Sequence, residues 1–78
     1  MLDKFVKIVE EVLKIKIEWE NEKNKKLDEL GIYSIEFINI IVDVEIEFDI
    51  HFPDSYFFSS YFEDLESIYK VTIELIGI

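Results

Sequence analysis

Between Val42 and Phe52 the chain reads VDVEIEFDIHF, with apolar and polar residues in unbroken alternation and a high content of β-branched side chains. Alternation of this kind is the signature of a strand with one buried face. The preceding residues, 34–41, do not alternate, and Ile35, Ile38, Val42 and the stretch from Glu45 to Phe48 also lay out around a helix. Intrinsic propensity yields to tertiary packing. The residues of this segment therefore leave strand and helix both open, and the fold class turns on which prevails.

The flanking segments are less ambiguous. Leu2, Phe5, Val6, Val9, Val12 and Leu13 recur at helical spacing and predict an amphipathic helix over residues 2–14. Residues 16–29 are polar, with Ile17, Trp19 and Leu27 as isolated apolar anchors, and form a long connection pinned to the core. Gly31 permits a tight approach to Ser34, which precedes an apolar run and is the expected N-cap of a second helix. Pro53 ends that element. Asp54 and Ser55 start a short helical turn, Asp64 caps a last helix carrying Leu65, Ile68, Tyr69, Thr72, Ile73 and Ile76, and Gly77 suits its end. At 78 residues the chain holds one domain, residues 1–78, with a small core.

Charge and cysteine content narrow the function. The net charge is −10, and it is regional: residues 1–26 hold seven lysines against six acids, whereas residues 27–78 hold twelve acids and Lys70 alone. A one-signed surface of this kind repels nucleic acid and anionic lipid and steers toward basic protein patches. With no cysteine, the chain has no disulfide, no zinc–thiolate site and no catalytic thiol of its own. A reducing, cytoplasmic setting is expected, since the N-terminal residues lack a signal-peptide pattern and no apolar run reaches membrane-spanning length.

Two elements at fixed separation carry a resemblance. The segment LDELGIYSIEFI, from Leu27 to Ile38, and EIEFDIHFPD, from Glu45 to Asp54, are similar to the acyl and peptidyl carrier protein family. In that family an L-G-x-[D/H]-S-[L/I] element presents a modified serine, and the helix that follows ends in E-F-D-x-x-[I/F]-P-D. The spacing here is the family's, with no gap. FEDLESIYKVTIEL resembles the family's last helix, so the similarity spans most of residues 27–76. The resemblance implies an all-α fold, a small four-helix bundle with a long first loop and a short third helix, and it places residues 42–48 in a helix.

It also implies a chemistry. Ser34 would carry a covalent 4′-phosphopantetheine taken from coenzyme A, on which acyl or aminoacyl intermediates ride as thioesters for fatty-acid, polyketide or related biosynthesis. The chain itself would present cargo and not catalyse. Its partners would be a phosphopantetheinyl transferase and the loading and condensing enzymes, reached through basic docking patches, with the carrier a monomer. Tyr33 stands where common members have Asp or His, and so bears on transferase choice. Ile35 and Val42 match the family's apolar docking positions, and Glu36, Glu45 and Asp54 its acidic ones, while Asn39 and Ile46 replace acids. From helical geometry alone, Glu36, Asn39, Asp43 and Glu47 share one face, being three, four and four residues apart.

Other readings of the same residues are weaker. Asp43 to Asp54 has the length of a calcium loop but Phe48 where glycine is needed and Asp54 where a bidentate Glu is usual, so no metal is expected. His51 is the single histidine, too little for a histidine metal site, and with Ser34 it gives slender support to a hydrolase. Tyr56, Phe57, Phe58, Tyr61 and Phe62 read as core and rim packing, with the lining of an acyl groove as the other reading. An unmodified carrier-like domain that binds a basic partner through its acidic face is the alternative to the carrier function.

Overall fold

Phe5, Ile8 and Val9 fall on one face of the first helix and are buried, which is what the spacing of that segment predicts. In the computed structural model, which describes residues 1–57 and 61–77, this helix is α1 (Leu2–Leu13), followed by α2 (Trp19–Glu22), α3 (Ser34–Phe48) and α4 (Leu65–Ile76). Single 3₁₀ turns lie at Leu27–Leu30 and Asp54–Phe57. No strand occurs among the described residues, so the alternating run is helical as far as Phe48. None of the described helices is long and apolar enough to cross a membrane.

α1 ends at Lys14, left-handed at φ 59°, whose N–H donates to the Glu10 carbonyl at 2.7 Å. The Glu10 side chain reaches further, and its Oε2 accepts the Ile17 N–H at 2.8 Å. The connection is thus pinned where Ile17 enters the core. It contains α2 and a 3₁₀ turn where a plain loop was expected, and Trp19 and Leu27, the first residues of those turns, pack on the core. The Trp19 ring meets Phe5 edge-on at 5.9 Å and Tyr69 at 5.8 Å, and Phe5 lies 5.2 Å from Tyr69. Three rings therefore join α1, α2 and α4.

The same connection is tied to the start of α4. Asp64 caps that helix as the sequence predicts, its Oδ1 accepting the Ser67 N–H at 2.9 Å. The Glu66 N–H, free at a helix start, donates to the Lys23 carbonyl at 3.1 Å, and the Leu27 N–H to the Glu63 carbonyl at 3.3 Å. Asn24 Nδ2 bridges Asp64 Oδ2 and Glu66 Oε1 at 3.1 and 3.0 Å. Burial opposes charge on Asp64, but hydrogen bonds from Asn24 and Ser67 outweigh it and hold the carboxyl below its ordinary value of 3.8. Hydrogen bonding from Asn24 likewise lowers Glu66 below 4.5 against the effect of burial, with Lys70 and Lys23 adding to the shift.

A depressed folded-state pKa contributes stability that is present above the unfolded-state value and lost as pH falls through the folded one. Asp64→Ala is therefore expected to cost about 1 kcal/mol at neutral pH, the usual loss for an N-cap. Urea unfolding of parent and variant should show that gap closing as the pH drops below 3.8. A gap that stays constant with pH would show that the Asp64 charge contributes nothing.

α3 packs against α1 and buries Phe37, Ile40, Ile41 and Val44. It stops at Asp49, left-handed at φ 53°, a conformation Asp tolerates. Phe52 then turns back into the core, and Phe62 joins Phe37 and Phe52 at ring distances of 5.8 and 6.5 Å. Tyr56 stacks on the exposed Tyr61 at 4.3 Å, while Tyr56 and Phe57 are half-buried against the core. Phe58 lies outside the described residues. The short turn at Asp54–Phe57 stands where the short third helix was expected.

Candidate functional site

Gly31 closes the 3₁₀ turn at φ 78°, in the left-handed region open to glycine at little cost, and its N–H donates to the Asp28 carbonyl at 3.1 Å. Ile32 follows, buried, with its N–H on the Leu27 carbonyl at 3.0 Å. These two residues set where the next helix begins. Tyr33 is extended at φ −102°, and α3 starts at Ser34.

This corrects the expected cap. Tyr33, not Ser34, occupies the N-cap position, and its phenol makes no cap hydrogen bond. With Ile32 buried, the chain enters the helix one residue earlier than a serine cap requires. Glu36 acts instead, its Oε1 accepting the Tyr33 N–H at 3.0 Å. The Ser34 side chain is exposed and its hydroxyl makes no hydrogen bond with another described residue. Tyr33 beside it is 62% exposed.

A cleft of about 530 Å³ opens at Ser34, between the first connection and the residues leading into α4. Leu27, Ile32 and Phe62, all buried, provide its apolar lining, and Asn24, Lys26, Asp28, Glu63 and Asp64 its polar one. The sequence signalled Leu27 as an anchor, but nothing local in it connects Phe62 with Ser34, since chain crossing brings them together.

Along α3 three rows of side chains run side by side. Phe37, Ile40, Ile41 and Val44 face the core. Ile35, Ile38, Val42 and Ile46 face outward, with Ile35 74% and Ile46 75% exposed. Each member of that row is followed by a polar residue, giving a third row of Glu36, Asn39, Asp43 and Glu47. Lys4 of α1 approaches Glu47 at 3.5 Å. The predicted docking residues Tyr33, Ile35, Val42, Asp43 and Glu47 are all exposed, and so is Asp54, at the turn after Pro53. Glu36 is half-buried and caps the helix. Ile38 and Ile46 stand four residues before and after Val42, a spacing that puts them on its face of the helix.

Glu45 lies apart from these acids. Its side chain is only 16% exposed, and Oε2 accepts the Phe52 N–H at 2.7 Å with His51 Nδ1 at 3.5 Å. His51 itself is exposed and sits beyond the C-terminal end of α3. Ser34 stands at the other end of this fifteen-residue helix, about 20 Å away at 1.5 Å per residue. The two are not a nucleophile–base pair. Neither family models, curated proteins nor solved structures yield a match to the chain.

Proposed function

We propose that this protein is a carrier that holds acyl or aminoacyl groups as thioesters on a 4′-phosphopantetheine joined to the Ser34 oxygen. The observation that carries this reading is the Ser34 hydroxyl, exposed, uncommitted and placed at the first residue of α3, at the motif spacing described above. The group supplies a thiol, which the cysteine-free chain lacks. Its phosphodiester fits the position, because the first-turn N–H groups of α3 and the positive end of the helix dipole favour an anion there.

The residues around Ser34 have distinct tasks in this reading. Glu36 takes the capping duty and leaves the hydroxyl free to react. Gly31 and Ile32 hold the helix start against the core, so the attachment point is rigid while the arm is mobile. Leu27, Ile32 and Phe62 offer apolar contact to an arm that folds back into the cleft. Tyr33 faces the transferase, and Ile35 and Val42 meet the enzymes that load and use the cargo. The carrier acts as a cytoplasmic monomer.

Intact-protein mass after incubation with coenzyme A, magnesium and a broad-specificity phosphopantetheinyl transferase tests the reading. A single phosphopantetheine addition is expected. No addition, with a transferase from the native source tried as well, would overturn it and leave an unmodified acidic interaction module.

A further inference from the structure

From Glu20 to Lys26 the first connection has no buried residue, while Trp19 before it and Leu27 after it pack on the core. Apolar burial therefore holds the ends of this stretch and not its middle. Polar contacts hold the middle. The Asn24 amide nitrogen donates to Asp64 Oδ2 at 3.1 Å and to Glu66 Oε1 at 3.0 Å, and Lys23 Nζ lies 3.6 Å from Glu66 Oε2. The Glu66 N–H completes the set by donating to the Lys23 carbonyl at 3.1 Å.

Both acceptors of Asn24 are carboxylates, so only the amide's two N–H donors can meet them. The amide stands between two like charges and satisfies each of them. Asp64 divides its oxygens, with Oδ1 on the Ser67 N–H at 2.9 Å and Oδ2 on Asn24. Release of Asn24 therefore leaves the cap of α4 in place.

These contacts close the rim of the cleft at Ser34. Asn24, Lys26 and Leu27 line it from the connection, and Phe62, Glu63 and Asp64 from the residues leading into α4. The Asn24–Asp64 hydrogen bond joins the two sides. Segments with few buried apolar contacts and exposed hydrogen bonds open locally at less cost than global unfolding.

We infer that residues 20–26 are a lid on this cleft, latched by the Asn24 amide and able to lift between Trp19 and Leu27 while the core stays packed. The lid does not depend on what Ser34 carries. Where Ser34 carries an arm, the lid decides whether the end of that arm lies in the cleft or in solvent.

The absence of cysteine makes the test direct, because one introduced thiol is the only one in the chain. Ile32→Cys places it in the cleft, at a side chain 2% exposed, and Ile41→Cys places it in the core that α3 packs against α1. Each is alkylated by iodoacetamide, a small neutral probe, with and without Asn24→Asp. That change keeps the shape of the side chain but replaces the donor by a third carboxylate facing Asp64 and Glu66. Alkylation at position 32 should quicken about tenfold, the equivalent of the hydrogen bonds to charged groups that are lost, and alkylation at position 41 should not change.

Amide exchange at Glu66 in the cysteine-free protein checks the latch without any change to the core, and it should quicken in Asn24→Asp as well. An unchanged rate at position 32 or at the Glu66 amide would overturn the lid. So would equal acceleration at positions 32 and 41, which would show global destabilisation. Ser34 is unmodified throughout, so uptake of phosphopantetheine reports separately on the carrier reading.

Discussion

Ser34→Ala is expected to abolish uptake of phosphopantetheine and to leave stability unchanged. The first expectation follows from the nucleophile, because alanine has no oxygen to form the phosphodiester. The second follows from the helix start. Were Ser34 the N-cap, alanine would cost about 1 kcal/mol. Tyr33 holds the cap position and the Glu36 carboxylate satisfies its N–H, so the change falls within about 0.5 kcal/mol, as for other exposed sites. Mass spectrometry and urea unfolding of the same samples check both. Uptake by the variant would refute the attachment site, and a loss near 1 kcal/mol would refute the assigned cap.

Phe5→Ala is expected to have the largest effect on folding. The ring is fully buried and touches Trp19 and Tyr69, so its loss opens a cavity where α1, α2 and α4 meet. Truncations of this kind cost about 3–5 kcal/mol. Small domains have total stabilities of about 5–15 kcal/mol, and a chain of 78 residues belongs near the lower end. At about 4–8 °C per kcal/mol the midpoint should fall by at least about 12 °C. Thermal unfolding followed by Trp19 fluorescence measures this directly, and a fall of only a few degrees would mean that neighbouring side chains collapse into the space.

Where a local signal suffices, structure and sequence agree. Asp64 caps α4, Gly77 ends it in the left-handed region, and the spacing of Phe5 and Val9 or of Leu65, Ile68 and Thr72 marks faces that are buried. These depend on neighbours within one or two turns of helix, so the residue order contains them. Ile17 and Leu27 are buried for a similar reason: an isolated large apolar residue in a polar connection has only the core to enter.

The run from Val42 to Phe48 is the instructive disagreement. Its alternation arises because α3 is apolar on two faces: Val44 and Phe48 turn toward the core, Val42 and Ile46 toward solvent, and polar residues fill the positions between. A period of two counts these faces together and so mimics a strand. The family resemblance pointed to helix, but the reason is visible only once α1 covers one of the faces.

The chain order by itself determined the span of α1 and the capped ends of α4, the anchors of the first connection, the regional acidity and the position of a serine before an apolar run. Tertiary structure decided that Tyr33 and not Ser34 caps α3, because the buried Ile32 sets the register. It decided that Glu45 turns inward, because Phe52 returns to the core and brings an N–H to it. And it decided that Ser34 opens onto a cleft shared with Phe62, because that contact depends on packing between segments far apart in the chain, which no local pattern encodes.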